Sequence, residues 1–250
     1  MPVVFKPPTR IGFGNILIKL CEYIKKYGPD ALVHASIKDY ERGNAFKFNL
    51  NITDQEPDED IQLDIFCNES TFREIGEILP KIMIPSQTLL NFNHKFATGI
   101  HIRCGAGAFD SRGLAAPRDS FVYQETFDTV DTIIPTLPTP IFLASDSEYV
   151  KTTLKQKWGD LISVFNSKIT LSCDPSTCGG VEQTAQSLVD AYIEWYILSQ
   201  CDGVITTMGP GFSDETQQGA GLSTYGFTAA AYGKKHLNVI HCEGLYVHIS

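Results

Sequence analysis

Long hydrophobic runs are absent from this chain of 250 residues. Nowhere do apolar residues continue for the roughly 18 positions that a membrane-spanning helix needs. Positive charge is scarce as well: lysine and arginine number 20 against 29 aspartates and glutamates, a net charge of -9, and no basic cluster interrupts the deficit. A nucleic-acid binder concentrates lysine and arginine against the phosphate backbone, so this balance argues against that class. Paired metal-binding cysteines are also lacking. The seven cysteines (21, 67, 104, 173, 178, 201 and 242) are odd in number and spread over the whole chain. Cys173 and Cys178 have neither a second CxxC nor a histidine at zinc spacing, so neither a zinc site nor a secreted disulfide framework is expected. The amino-terminal MPVVFKPP is too short and proline-rich for a signal peptide, which with free thiols predicts a cytoplasmic protein. What is present is apolar content of 43%, enough for a sizeable core.

The pattern along the chain predicts alternating strands and helices. Val3 to Phe5 reads as a strand, Ile11 to Gly14 as a turn, and Asn15 to Tyr27 as a helix with apolar residues at 16, 17, 20, 24 and 27, stopped by Gly28 and Pro29. Ala31 to His34 and Ile61 to Phe66 are short β-like runs. Ser70 to Leu79 reads as a helix ended by Pro80, and the polar, irregular stretch from Pro85 to Phe96 as a link between domains. Beyond it, Gly99 to Arg103, Pro140 to Ala144, Leu161 to Phe165, Gly203 to Thr207 and Leu237 to His241 are apolar runs separated by helical patterns, of which Thr184 to Gln200 is the strongest. Such alternation implies an α/β protein with a parallel sheet covered on both faces. The expected division is residues 1–95 and residues 96–250.

Ligands of open α/β sheets sit beyond the carboxyl ends of the strands, which directs attention to the loops after Arg103, Ala144 and Thr207. In the run Ile100 to Gly105, His101 and Arg103 stand two residues apart and leave the strand on one face. Arg103 can give a bidentate, charge-assisted contact to a diphosphate, or else bridge surface carboxylates. His101 reads equally as a satisfied core histidine. Gly12, Phe13, Gly14 and Asn15 open a helix after a strand, where free backbone N–H groups attract phosphate. A third dinucleotide glycine would fall at Leu17, so a nicotinamide cofactor is a weak reading. Ser147 can cap the next helix, leaving Asp146 open to a ligand. The loop from Thr207 to Ser213 is glycine-rich and precedes the stretch Asp214 to Gly221, with Ser213 expected near the start of a helix. Asp58, Glu59 and Asp60 precede a strand instead of ending one, so they are expected in a solvated loop and not at a metal.

Taken together, GFGN near the amino terminus, HIRCG in mid-chain, FLASD some forty residues later, and ExxxLSQCDGVITT followed by GFS resemble the fucosyltransferase superfamily, from about residue 10 to residue 220. The resemblance implies a GT-B-like fold of two facing Rossmann-like domains with parallel sheets. GDP-fucose would be bound mainly by residues 96–250, with residues 1–95 on the acceptor side, and transfer would be inverting with no required metal or other cofactor. By position, Arg103 matches the arginine on the donor diphosphate, His101 and Glu194 match the residues that hold the guanine, Asp146 the acidic residue after the central strand, and Phe212 and Ser213 the loop facing the phosphates. The family commonly has aspartate where this chain has Glu194, a second arginine at Cys104 and an aspartate at Ala106. Asp110 is the nearest carboxylate to act as general base, with Asp119 and Glu125 as alternatives. The implied partners are a nucleotide-sugar donor and a carbohydrate acceptor, with no nucleic acid and no membrane span. A nucleotide- or glycan-binding protein without turnover, a transferase of another nucleotide sugar and a Rossmann-type oxidoreductase are the competing readings.

Overall fold

Ile100, Ile102, Ile141, Leu143, Ile205 and Ile240 all fall on one face of a six-stranded sheet in the computed structural model, which describes residues 3–7, 12–41, 44–57, 67–92, 95–103, 124–165, 185–208, 222–240 and 246–249. That sheet is built from β6 (Thr98–Ile102), β7 (Ile141–Ser145), β8 (Ile162–Val164), β9 (Gly203–Thr207), β10 (His236–Ile240) and β11 (Tyr246–Ile249). Its order is β11-β10-β9-β6-β7-β8, with the first five in sequence parallel and β11 antiparallel on β10. Because parallel strands need crossover connections, helices lie on both faces. Val130 of α4 (Gln124–Ile133) and Val150 and Leu154 of α5 (Glu148–Trp158) cover the isoleucine face. Phe142, Ala144, Val204, Leu237 and Val239 face the other way, toward α6 (Ala185–Gln200) and α7 (Thr224–Gly233).

The amino-terminal part holds β1 (Val4–Phe5), α1 (Phe13–Tyr27), β2 (Leu32–His34), β3 (Phe46–Phe48), β4 (Asn51–Thr53), α2 (Glu69–Ile82), β5 (Met83–Pro85) and α3 (Gln87–Leu90). Strands β1, β2 and β4 form a parallel sheet, and β3 pairs antiparallel with β5. Gly28 ends α1 at φ 90°, a conformation open to glycine without strain. One apolar core runs from this part into α6 and α7: the rings of Phe13 and Phe46 each stand 5.6 Å from that of Trp195, edge to face. Small residues set the spacing between layers. A methyl group at Gly99 of β6 would lie 2.8 Å from Cys201 Sγ and 3.0 Å from Leu198, so α6 passes directly over that strand.

Three expectations need correction. Pro80 does not end its helix: α2 continues to Ile82, because Leu79 and Ile82 are buried and their packing holds the last turn despite the missing proline N–H. The stretch from Pro85 to Phe96 is not irregular throughout, since Ser86 caps α3 and donates its backbone N–H to Ala45 O, fixing the segment beside β3. Gly12 to Gly14 are not a turn before a helix; Gly12 is the N-cap, and Phe13 and Gly14 are its first two helical residues. The helix start expected near Ser213 and the stretch 214–221 lie outside the described residues, and the helix described after β9 is α7, which starts at Thr224. It escaped the periodicity reading because it is apolar nearly all round, packing on α1, α2, α6 and β9. The expected strand over 61–66 and the acidic run over 58–60 lie outside the described residues.

Candidate functional site

Counted within the large sheet, the strand order is 3-2-1-4-5-6, so the winding reverses between β6 and β9. At that switch point the crossover helices diverge to opposite faces and leave a crevice beyond the carboxyl ends of the strands. Three strand ends are tied together there. Arg103 donates its backbone N–H to Thr207 Oγ1 at 3.0 Å, Ser145 donates its hydroxyl to Ile102 O at 2.8 Å, and Ser145 Oγ accepts from Ser147 N at 3.1 Å. Ser147 then caps α5 by accepting from Val150 N at 3.4 Å, as expected.

Strand alternation places His101 and Arg103 on the α6/α7 face. His101 is 4% exposed, with Nδ1 3.2 Å from Thr206 Oγ1 and its ring 4.8 Å from that of Tyr225. Burial, reinforced by the positive charges of Arg103 and Lys151, lowers its pKa from 6.5 to about 3, so the imidazole is neutral at physiological pH. Tyr225 donates its hydroxyl to Ala191 O of α6, and burial with the nearby Glu194 carboxylate pushes its phenol well above the ordinary value.

Two ion pairs complete the edge. Arg103 Nη1 lies 3.2 Å from Asp146 Oδ2, with the arginine side chain 24% exposed and the aspartate 7%. Asp146 is therefore not simply open to a ligand, as expected from sequence; it holds the guanidinium, whose planar fork has five donors and can engage a second anion at the same time. Lys151 of α5 donates to Glu194 Oε1 of α6, and both side chains are buried.

The helix starts converge on the same place. A methyl group at Gly14 would lie 2.5 Å from the backbone carbon and oxygen of Thr224, and one at Gly226 would lie 3.2 Å from His101 Nδ1. Thus α1 and α7 begin side by side next to the histidine, although residues 14 and 224 are far apart in sequence. Neither N-cap, Gly12 or Ser223, makes a side-chain cap hydrogen bond, and neither first turn carries an acidic residue. Asn15 is half-buried beside them, whereas the Phe13 side chain points into the core, its ring 4.4 Å from that of Tyr192.

Of the expected site residues, Gly12, Phe13, Gly14, Asn15, His101, Arg103, Asp146 and Glu194 are described and belong to this one region. Asp110, Phe212 and Ser213 lie outside the described residues, as do Cys104 and Ala106. Sequence reasoning missed Lys151 and Tyr225, and no local pattern marks either. Among the described residues no group of three histidine, cysteine, aspartate or glutamate side chains is placed to hold a metal, and no helix is long and apolar enough to cross a membrane.

An α/β protein with a Rossmann-order sheet and a charged edge at its switch point is the class that fold and geometry define. No protein-family model matches the chain. No curated protein matches it either. Solved structures do share its fold. The fucosyltransferase NodZ from Bradyrhizobium is 15% identical over 100% of this chain and 99% of that one, with a TM-score of 0.57. NodZ alpha-1,6-fucosyltransferase soaked with GDP-fucose matches over the same shares at 14% identity and a TM-score of 0.56, and the form co-crystallised with GDP at 14% and 0.55. The chain is similar to these in architecture from end to end, and the GT-B-like fold expected from the motifs is met.

Proposed function

We propose that this protein is a glycosyltransferase that moves fucose from GDP-fucose to a glycan hydroxyl, with inversion and without a metal. The observation that carries the reading is Arg103, oriented by Asp146 at the switch point of a sheet shared with a protein seen with GDP-fucose. In such a transfer the acceptor oxygen attacks the anomeric carbon, the bond from that carbon to the diphosphate oxygen breaks, and the acceptor proton passes to a base. Negative charge builds on the departing diphosphate, so donors aimed there supply the main stabilisation. Arg103 offers a charged fork, and the first-turn N–H groups of α1 and α7 offer partial positive charge. His101, being neutral, serves as a hydrogen-bonding wall of the guanine side, with Glu194 as the acceptor for the base. Asp110 is proposed as the base for the acceptor, with Asp119 and Glu125 as alternatives. Residues 1–95 would present the acceptor and residues 96–250 the donor. The buried free thiols Cys21, Cys67 and Cys201 support a cytoplasmic setting.

A second reading has its own support. Arg103 and Lys151 each pair with a carboxylate, so this edge carries less positive charge than its two cations imply, and Cys104 and Ala106 stand where the resembled family has arginine and aspartate. Both features suit a nucleotide- or glycan-binding protein without turnover. Incubation with GDP-fucose in the presence of EDTA separates the two. Release of GDP together with sugar of inverted anomeric configuration is the outcome expected of the transferase. Tight GDP binding without any sugar release would favour the binding protein. Thermal protection by NAD but not by GDP would overturn both in favour of an oxidoreductase.

A further inference from the structure

Lys151 has no part in the transfer chemistry proposed for Arg103, yet its side chain is more deeply buried than that of Arg103, 4% against 24% exposed. It is the fourth residue of α5, close to the positive end of the helix dipole, where a cation is disfavoured. Removing an ammonium and a carboxylate from water costs more than burying an apolar pair of similar size. The packing of α5 is supplied by Val150 and Leu154, which face the isoleucine side of the sheet. Lys151 instead reaches past the carboxyl edge to α6 on the opposite side and bonds Glu194 Oε1. Its charge is also felt at His101, so the ammonium stands within the same crevice as the histidine and Arg103.

We propose that Lys151 is a positioning residue for base recognition: it holds the Glu194 carboxylate ionised and fixed in orientation, so that the crevice selects a nucleoside diphosphate whose base presents adjacent N–H donors. This inference rests on the proposed nucleotide-sugar function. An ionised carboxylate only accepts hydrogen bonds, and its two oxygens have about four acceptor sites. A base edge with two neighbouring N–H groups matches it. A base with a ring acceptor on that edge leaves a buried charge facing a lone pair and is rejected. A carboxylate buried without its cation takes up a proton and becomes a donor as well, and the distinction is lost.

Calorimetric affinities of GDP, ADP, UDP and inorganic pyrophosphate for the unaltered chain and for Lys151→Met, Lys151→Arg and the apolar pair Lys151→Met/Glu194→Leu test this. The unaltered chain is expected to prefer GDP over ADP and UDP. Lys151→Met is expected to weaken GDP by about tenfold or more and to level the three nucleotides, while pyrophosphate, which has no base, changes by less than about threefold. Lys151→Arg should restore the preference. The double variant keeps the packing without buried charge and removes the base acceptor, so the same levelling of the three nucleotides is expected in it. Lys151→Gln, which lacks the charge but keeps a polar side chain, is expected to level them too and serves as the test if Lys151→Met fails to fold. Preference for GDP retained in Lys151→Met would overturn the role of Lys151 alone, and preference retained in the double variant would overturn Glu194 as the acceptor for the base as well. Equal loss of pyrophosphate and GDP would mark a merely structural lysine and overturn it too. Absence of GDP and pyrophosphate binding by the unaltered chain would overturn the nucleotide reading together with this one.

Discussion

Gly226 of α7 approaches Thr206 of β9 so closely that a methyl group on its Cα would lie 2.4 Å from the threonine Oγ1 and 2.8 Å from its Cβ. Thr206 is also the partner of His101 Nδ1, so the helix start, the strand end and the histidine form one packed unit. A side chain at 226 must displace the threonine or the helix. Gly226→Ala is therefore expected to destabilise the protein by about 1–3 kcal/mol, read as a lowered urea midpoint with an unchanged slope. A midpoint equal to that of the parent would show that the contact relaxes freely.

Arg103 is the proposed diphosphate ligand, and its removal tests that placement directly. Arg103→Ala is expected to weaken GDP binding by about 1.5–3 kcal/mol in calorimetry, the worth of a hydrogen bond to a charged group. Arg103→Lys keeps the charge without the planar fork and should recover only part of the loss. A loss below about 1 kcal/mol in the alanine variant would place the diphosphate elsewhere.

His101 predicts a pH dependence of stability with a definite sign. Its folded pKa is depressed to about 3 from 6.5, so between those values the unfolded chain binds the extra proton. Stability then rises with pH across that window, and falls as the solution is acidified below 6.5. By pH 4.5 the contribution lost is about 3 kcal/mol. Urea denaturation from pH 4.5 to 7.5 should show this slope in the parent and a flatter profile in His101→Gln, which cannot titrate. Parallel profiles for the two proteins would count against a neutral buried imidazole.

Cys21, Cys67 and Cys201 are buried, and burial raises all three thiols, to about 12 for Cys67 and Cys201. The thiolate is the reactive form, so none should react with iodoacetamide near neutral pH in the folded protein. Peptide mapping is expected to find these three unmodified until denaturant is added. Modification of Cys201 in the native state would contradict the packing of α6 on Gly99.

Much of the second half of the fold was legible because its signals are local. Gly203 to Thr207 is an apolar run bounded by Asp202 and the glycine-rich stretch, and it forms β9 with those limits. Thr184 to Gln200 has helical periodicity, and α6 is described over Ala185–Gln200. The parity of His101 and Arg103 needed only the two-residue repeat of a strand. Less of the first half could be read. β3 and β5 are three residues each, too short for a pattern, and α7 lacks a polar face because other elements surround it.

From the sequence alone come the α/β class, the strands that run into loops, and the common face of His101 and Arg103, because burial and backbone direction repeat over a few neighbouring residues. Only the tertiary structure decided the partners: Thr206 with His101, Asp146 with Arg103, Lys151 with Glu194, and Gly14 against Thr224. Those pairings depend on strand order, register and the angles at which helices cross the sheet. They are set by the joint packing of segments up to 210 positions apart, which no local repeat records.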